Sequence, residues 1–123
     1  MKSIAVRIEC AAEELGRIRD ALRLCTGLAI GGIAVTVTVS GGALGVVVDA
    51  QRNTAGTDDI AAQLAGFRDV SLKIRCDRDQ ARGAGIDIPA DDLFVAVEGT
   101  THARMDSGAR GLIVFSPHVA PTP

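Results

Sequence analysis

The stretch SLKIRCDRDQARG (71–83) puts a thiol where the chain changes character: an alternating apolar run ends on Cys76, and a charged segment starts at Asp77. The run reads as a strand and the charged segment as a short helix. Asp77 sits where a helix N-cap belongs, and Gln80 follows three residues later in the capping-box pattern. A thiolate at such a junction gains from the positive end of the helix, and Arg75, Arg78 and Arg82 bring cations close in sequence. Both effects lower a thiol pKa and raise its nucleophilic fraction. Asp77 and Asp79 act in the opposite direction. Cys76 is therefore the candidate catalytic residue, a nucleophile for thiol exchange, with Arg75, Arg78 and Arg82 as supporting cations. The plain alternative is a small buried hydrophobe, the commonest role of a free cysteine.

Cys10 lies at a second strand-to-helix junction, but Glu9, Glu13 and Glu14 surround it in sequence and oppose a thiolate. Cys25 falls on the apolar stripe of the first predicted helix and reads as core. Three widely spaced cysteines without a CxxC pair argue against a disulfide framework and against a zinc site, and they fit a reducing, cytoplasmic setting. The two histidines, His102 and His118, have no partner at ligand spacing, so neither a metal nor a cofactor is expected. The glycine-rich SGGALG (40–45) lacks the spacing of a dinucleotide loop and has no Lys-Ser/Thr pair after it. It leads into a valine-rich run instead of a helix, and it reads as a turn whose residues Ser40, Gly41, Gly42 and Ala43 rim a site. The acidic pairs Asp58-Asp59 and Asp91-Asp92 read as helix starts or solvated turns.

The elements that must position these residues follow from periodicity. SIAVRIE (3–9) alternates and is a strand. From Glu13 onward Leu15, Ile18, Leu22, Cys25 and Ala29 recur at helical spacing, and Gly31-Gly32 ends that helix. IAVTVTV (33–39) is a second strand, and LGVVVDA (44–50) continues it or forms a further one. AGTDDIAAQLAGF is a helix with Thr57 as its N-cap, Asp58 and Asp59 in its first turn, and Ile60, Ala61, Leu64 and Phe67 on its buried side. VSLKIRC (70–76) is a strand with Val70, Leu72 and Ile74 inward. IPADDLFVAVEG supplies one more short element, THARMDSGARG a helical or irregular lead-in, and LIVFSP (112–117) a last buried strand. Strands alternating with helices predict an α/β fold: a single three-layer domain over 1–117, its mostly parallel sheet flanked by helices, with 118–123 a frayed tail. In such sheets function sits at the carboxyl ends of the strands, which singles out the junctions at Cys10, at Ser40–Ala43 and at Cys76.

Composition narrows the classes. A chain of 123 residues suits one domain with a proper core. Aromatic residues are only 2%, so the core is aliphatic, and stacking platforms for single-stranded nucleic acid are excluded. A net charge of −2 without a basic run points away from nucleic acid altogether. MKSIAVRIEC is no signal peptide, because Arg7 and Glu9 interrupt any apolar core. The charge-free run 24–48 is long enough for a bilayer, but its Gly pairs and its TVTV alternation split it into a helix end, a turn and a buried strand. No membrane partner is expected.

The order of elements resembles the DsrE-like family of small α/β proteins, which includes sulfur-relay subunits. An early strand leads into the helix GRIRDALRLCTGLAIGG, then to VTVTVSGGA, to TDDIAAQLAGF, to VSLKIRC with RGAGI just after, and to a closing ARGLIVF. The resemblance spans 4–115 and rests on that order plus the C-x5-R-G motif beginning at Cys76. It implies that Cys76 matches the family's sulfur-carrying cysteine, taking persulfide sulfur from a donor protein and passing it to an acceptor. It also implies a homo-oligomer, a trimer or hexamer, with the cysteine near subunit interfaces. Two departures stand out: ECAAEE in place of a more open first loop, and no aromatic residues around the second strand. The function read here is a sulfurtransferase-type carrier working through Cys76. The alternative is a non-catalytic oligomeric binding or scaffold module of the same fold, with Cys76 structural.

Overall fold

The structure is a computed structural model that describes residues 3–52, 58–98 and 108–117. Its elements run β1 (Ser3–Ile8), α1 (Leu15–Ile30), β2 (Ala34–Val39), α2 (Gly42–Gln51), α3 (Asp58–Asp69), β3 (Ile74–Asp77), α4 (Arg78–Gly83), β4 (Phe94–Val97) and β5 (Gly111–Phe115). The five strands form one parallel sheet in the order β4-β3-β2-β1-β5, flanked by the four described helices. Parallel neighbours need a crossover between them, which is why helices and strands alternate along the chain. The predicted α/β class is the observed one.

Register decides which side chains share a face. Val6 pairs with Val37, Val37 with Ile74, and Ile74 with Phe94. Cys76, two residues beyond Ile74, lies on the same face. These residues meet Ile18, Leu22 and Cys25 of α1, Leu44 and Val47 of α2, and Ile60, Leu64 and Phe67 of α3 in one aliphatic core. Each such large side chain, fully removed from water, contributes about 1.5–3 kcal/mol. The opposite face is more polar at its centre, where Thr38 and Arg75 are nonetheless buried. No helix among the described residues is long and apolar enough to cross a membrane.

Several sequence expectations need correction. The stretch 44–50 is not a strand but most of α2, six of whose ten residues are buried. An element that is apolar nearly all round shows neither period, and tertiary burial overrides the β preference of its three valines. The third strand is shorter than predicted: it begins at Ile74, because Val70–Lys73 turns through Ser71 at a φ of 59°. The last strand is not buried but an edge, with Leu112 52% and Val114 40% exposed. Leu15, placed on the inner stripe of α1, is 40% exposed. Thr57, His102, His118 and the tail 118–123 lie outside the described residues, as does most of the lead-in THARMDSGARG (101–111).

Candidate functional site

The carboxyl ends of β1, β2 and β3 do converge, and backbone hydrogen bonds stitch them together. The Ser40 N–H donates to the Ile8 carbonyl at 3.0 Å, and the Ala43 N–H to the Cys10 carbonyl at 3.1 Å. The Gly41 N–H donates to Oε1 of Gln80 at 3.4 Å, joining the glycine turn to α4. The two glycines have different reasons to be there. Gly41 holds φ 63° and ψ −143°, a conformation open to glycine and costly for other residues. Gly42 lets the loop after β1 come close: a Cβ on it would stand 2.7 Å from the Ala12 nitrogen. SGGALG does lead into a helix, contrary to the sequence reading. Yet its Ser40, Gly41 and Ala43 amides already bond protein groups, whereas a phosphate cradle presents such amides to its ligand.

Cys76 sits where the sequence places it, near the carboxyl end of β3 and just before α4. Asp77 is the N-cap of α4, its carboxylate accepting from the Gln80 N–H at 3.0 Å. Only half of the predicted capping box forms, since the Gln80 side chain reaches to Gly41. The Cys76 thiol has no exposed surface and points toward the Val95 carbonyl, 3.8 Å away. Burial, and then the Asp77 carboxylate, push it up to about 11. The arginines do not counter this. Strand alternation turns Arg75 to the opposite face, where Nη2 donates to the Thr38 hydroxyl at 3.0 Å. Arg78 donates to the Ala96 carbonyl at 3.3 Å, and Arg82 stands in solvent on the last turn of α4. In this conformation Cys76 is a packed thiol rather than a displayed one.

Cys10 differs in the way that matters for thiol chemistry. It too is fully buried, with Sγ 3.6 Å from the Phe115 carbonyl. Burial raises its pKa, but the Arg17 guanidinium opposes that rise more strongly than Glu14 supports it. Arg17 is held in place by Glu14 and by the Ser116 carbonyl, each at 2.6 Å from Nη1. Sequence reasoning counted the glutamates near Cys10 and missed Arg17, which lies seven positions on; the Glu14-Arg17 spacing of three on a helix was the available signal. Cys25, in the middle of the α1 stripe, is pushed by burial to about 12. All three cysteines are unpaired thiols.

Two clefts lie at the other, amino ends of the strands and touch none of the cysteines. One, about 220 Å³, is lined by Arg68, Ser71, Leu72, Lys73, Asp92 and Leu93. The other, about 300 Å³, is lined by Ser3, Ile4, Ile33, Arg110 and Gly111. Beside the first, Asp91 ties the sheet end to α2 and α3: it accepts from Gln51 at 2.6 Å and from both terminal nitrogens of Arg68.

The crystal structure of the ychN protein from E. coli has the same fold. The two match with a TM-score of 0.77 over 94% of this chain and 100% of that one, at 17% sequence identity. That protein is of the DsrE-like fold type, so the architecture implied by the resemblance is the architecture found. No family model matches the chain, and no curated protein matches it in sequence.

Proposed function

We propose that this chain is a DsrE-like binding or scaffold module, assembled from several copies, in which Cys76 packs the core at the carboxyl end of the sheet. The observation behind this reading is the state of that thiol: no exposed surface, a pKa raised to about 11, and an aspartate instead of an arginine as its charged neighbour. Thiol exchange needs access and a thiolate, and this conformation offers neither. The trimer or hexamer implied by the family resemblance belongs to the same reading.

A second reading is favoured by position. Cys76 stands near the carboxyl end of β3, just before Asp77, the N-cap of α4. Ligands of open parallel sheets gather at such points. If the corner between β3 and α4 opens, the Cys76 thiolate attacks the outer sulfur of a donor persulfide, R–S–SH. A bond forms from Cys76 Sγ to that sulfur while the donor's S–S bond breaks. Cys76–S–SH results, the donor leaves as its thiolate, and no external oxidant is needed.

One experiment separates the two. Intact mass after incubation with a persulfide donor is expected to be unchanged for the folded protein. The module reading fails if Cys76 gains a sulfur that a reductant removes and that Cys76→Ser abolishes. Iodoacetamide trapping at graded pH gives a second reading: a packed Cys76 alkylates more slowly than a free thiol of pKa about 8.5.

A further inference from the structure

The two edges of the sheet are built differently, and the difference selects a partner. At the β4 edge the Ala96 carbonyl, which faces away from β3, accepts a hydrogen bond from Arg78, and the charged side chain lies over the strand. That is a recognised way of blunting an edge. At the β5 edge the sequence is Gly-Leu-Ile-Val-Phe, with no charge and no proline before Pro117. The Phe115 carbonyl accepts from the Glu9 N–H at 2.9 Å, so Gly111, Ile113 and Phe115 turn their backbone groups toward β1. By alternation, Leu112 and Val114 turn theirs outward, where they have no backbone partner among the described residues. The side chains of the same two residues are among the exposed large hydrophobics of the described residues.

The geometry points to a second copy of this chain as the occupant, with β5 pairing antiparallel to its own equivalent about a two-fold axis at Ile113. In that register Leu112 and Val114 face Val114 and Leu112 of the other copy as hydrogen-bonded pairs, each exchanging an N–H and a carbonyl. Both outward-facing residues are thereby satisfied and their aliphatic side chains abut on one face. Arg110 falls opposite Ser116, so no like charges meet, and Pro117 ends the ladder. The guarded β4 edge disfavours the alternative of β5 against β4, which would propagate without closing. The contact gives a surface to the self-association in the reading above and rests on that part of it, but not on the state of Cys76.

Three forms of the chain test this by sedimentation equilibrium across a concentration series. The wild type is expected to show a mass that is an even multiple of the chain. L112K/V114K sets lysines directly opposite each other twice and weakens that association by about tenfold or more, since like charges across a ladder repel. L112K/V114E sets lysine opposite glutamate and restores it. Both changes fall on exposed side chains, and circular dichroism checks that the fold is retained. Amide hydrogen exchange supplies the register: Leu112 and Val114 gain protection with protein concentration, while Ile113 is protected throughout. A wild-type trimer whose mass ignores both variants overturns the edge pairing and leaves the oligomeric module standing. A monomer at every concentration overturns both, whatever the persulfide experiment shows.

Discussion

The carboxyl ends of β1 and β3 carry the same group, a buried thiol at a strand-to-helix junction, in opposite electrostatic settings. Around Cys10 the sequence neighbours are acidic, yet the group that acts most on the thiol after burial is the Arg17 guanidinium. Around Cys76 the neighbours include three arginines, yet among the described residues the charge that shifts the thiol is Asp77. Helix geometry brings Arg17 back toward the end of β1, whereas strand alternation sends Arg75 to the far side of the sheet. Charge counted along the chain and charge felt at the sulfur therefore have opposite signs at both sites.

That comparison can be broken in several ways. The largest effect is expected at the seam joining the two ends. Gly42→Ala forces a Cβ against the Ala12 backbone and destabilises by about 1–3 kcal/mol, as overpacking does. Gly45→Ala in the same helix, with its nearest neighbour at 3.9 Å, is neutral or stabilising by up to about 1 kcal/mol. Urea midpoints of the two variants compare them, and equal losses would mean that the seam is not tight.

Next comes Cys76→Ser. A hydroxyl whose only neighbour of use is a carbonyl 3.8 Å away costs roughly 1–2 kcal/mol. Cys10→Ser costs less, because the Phe115 carbonyl and Arg17 are both near. A reversed order in thermal denaturation would show that Cys10 is the more tightly packed of the two.

The pH dependence has a definite sign. Cys76 is raised from 9.0 to about 11, so the unfolded chain loses that proton first. Its contribution is full below pH 9 and is lost as the pH rises from 9 through 11. Denaturation midpoints followed into alkali should fall over that range, less steeply in Cys76→Ala. A flat profile shared by wild type and variant would contradict the buried thiol.

The smallest effect concerns rates. Under native conditions iodoacetamide is expected to label Cys10 before Cys76, and Cys76 before Cys25. Arg17→Met should slow Cys10 and narrow the gap, since it removes the cation that opposes the effect of burial on that thiol. Peptide mapping of the labelled sites reads out the order, and labelling of Cys76 first would invert the comparison.

Much of the fold is legible in the sequence because most elements are amphipathic. α1, α3, β1 and β2 each show one period clearly, and Asp77 announces the start of α4. α2 is not legible, because GALGVVVDAQ is buried on nearly every side and periodicity needs a wet face to register. β5 looks like a core strand by composition and becomes an edge through topology, which no local pattern encodes. At the candidate site, the placing of Cys10, Ser40–Ala43 and Cys76 at one end of the sheet follows from its parallel class, which is readable. The roles of Arg17 and Gln80 are not, since each acts across a gap closed only by folding.

By itself the sequence determined the α/β class, the aliphatic core, the Asp77 cap of α4 and the identity of the strand-end thiols, because these depend on periodicity, composition and neighbours within one helical turn. The tertiary structure alone decided that Cys76 is shut in with an aspartate, that Cys10 has the cation, and that β5 is an edge strand with Leu112 and Val114 exposed. Burial and long-range charge are properties of the space around a side chain, and that space is filled by residues from other strands and helices.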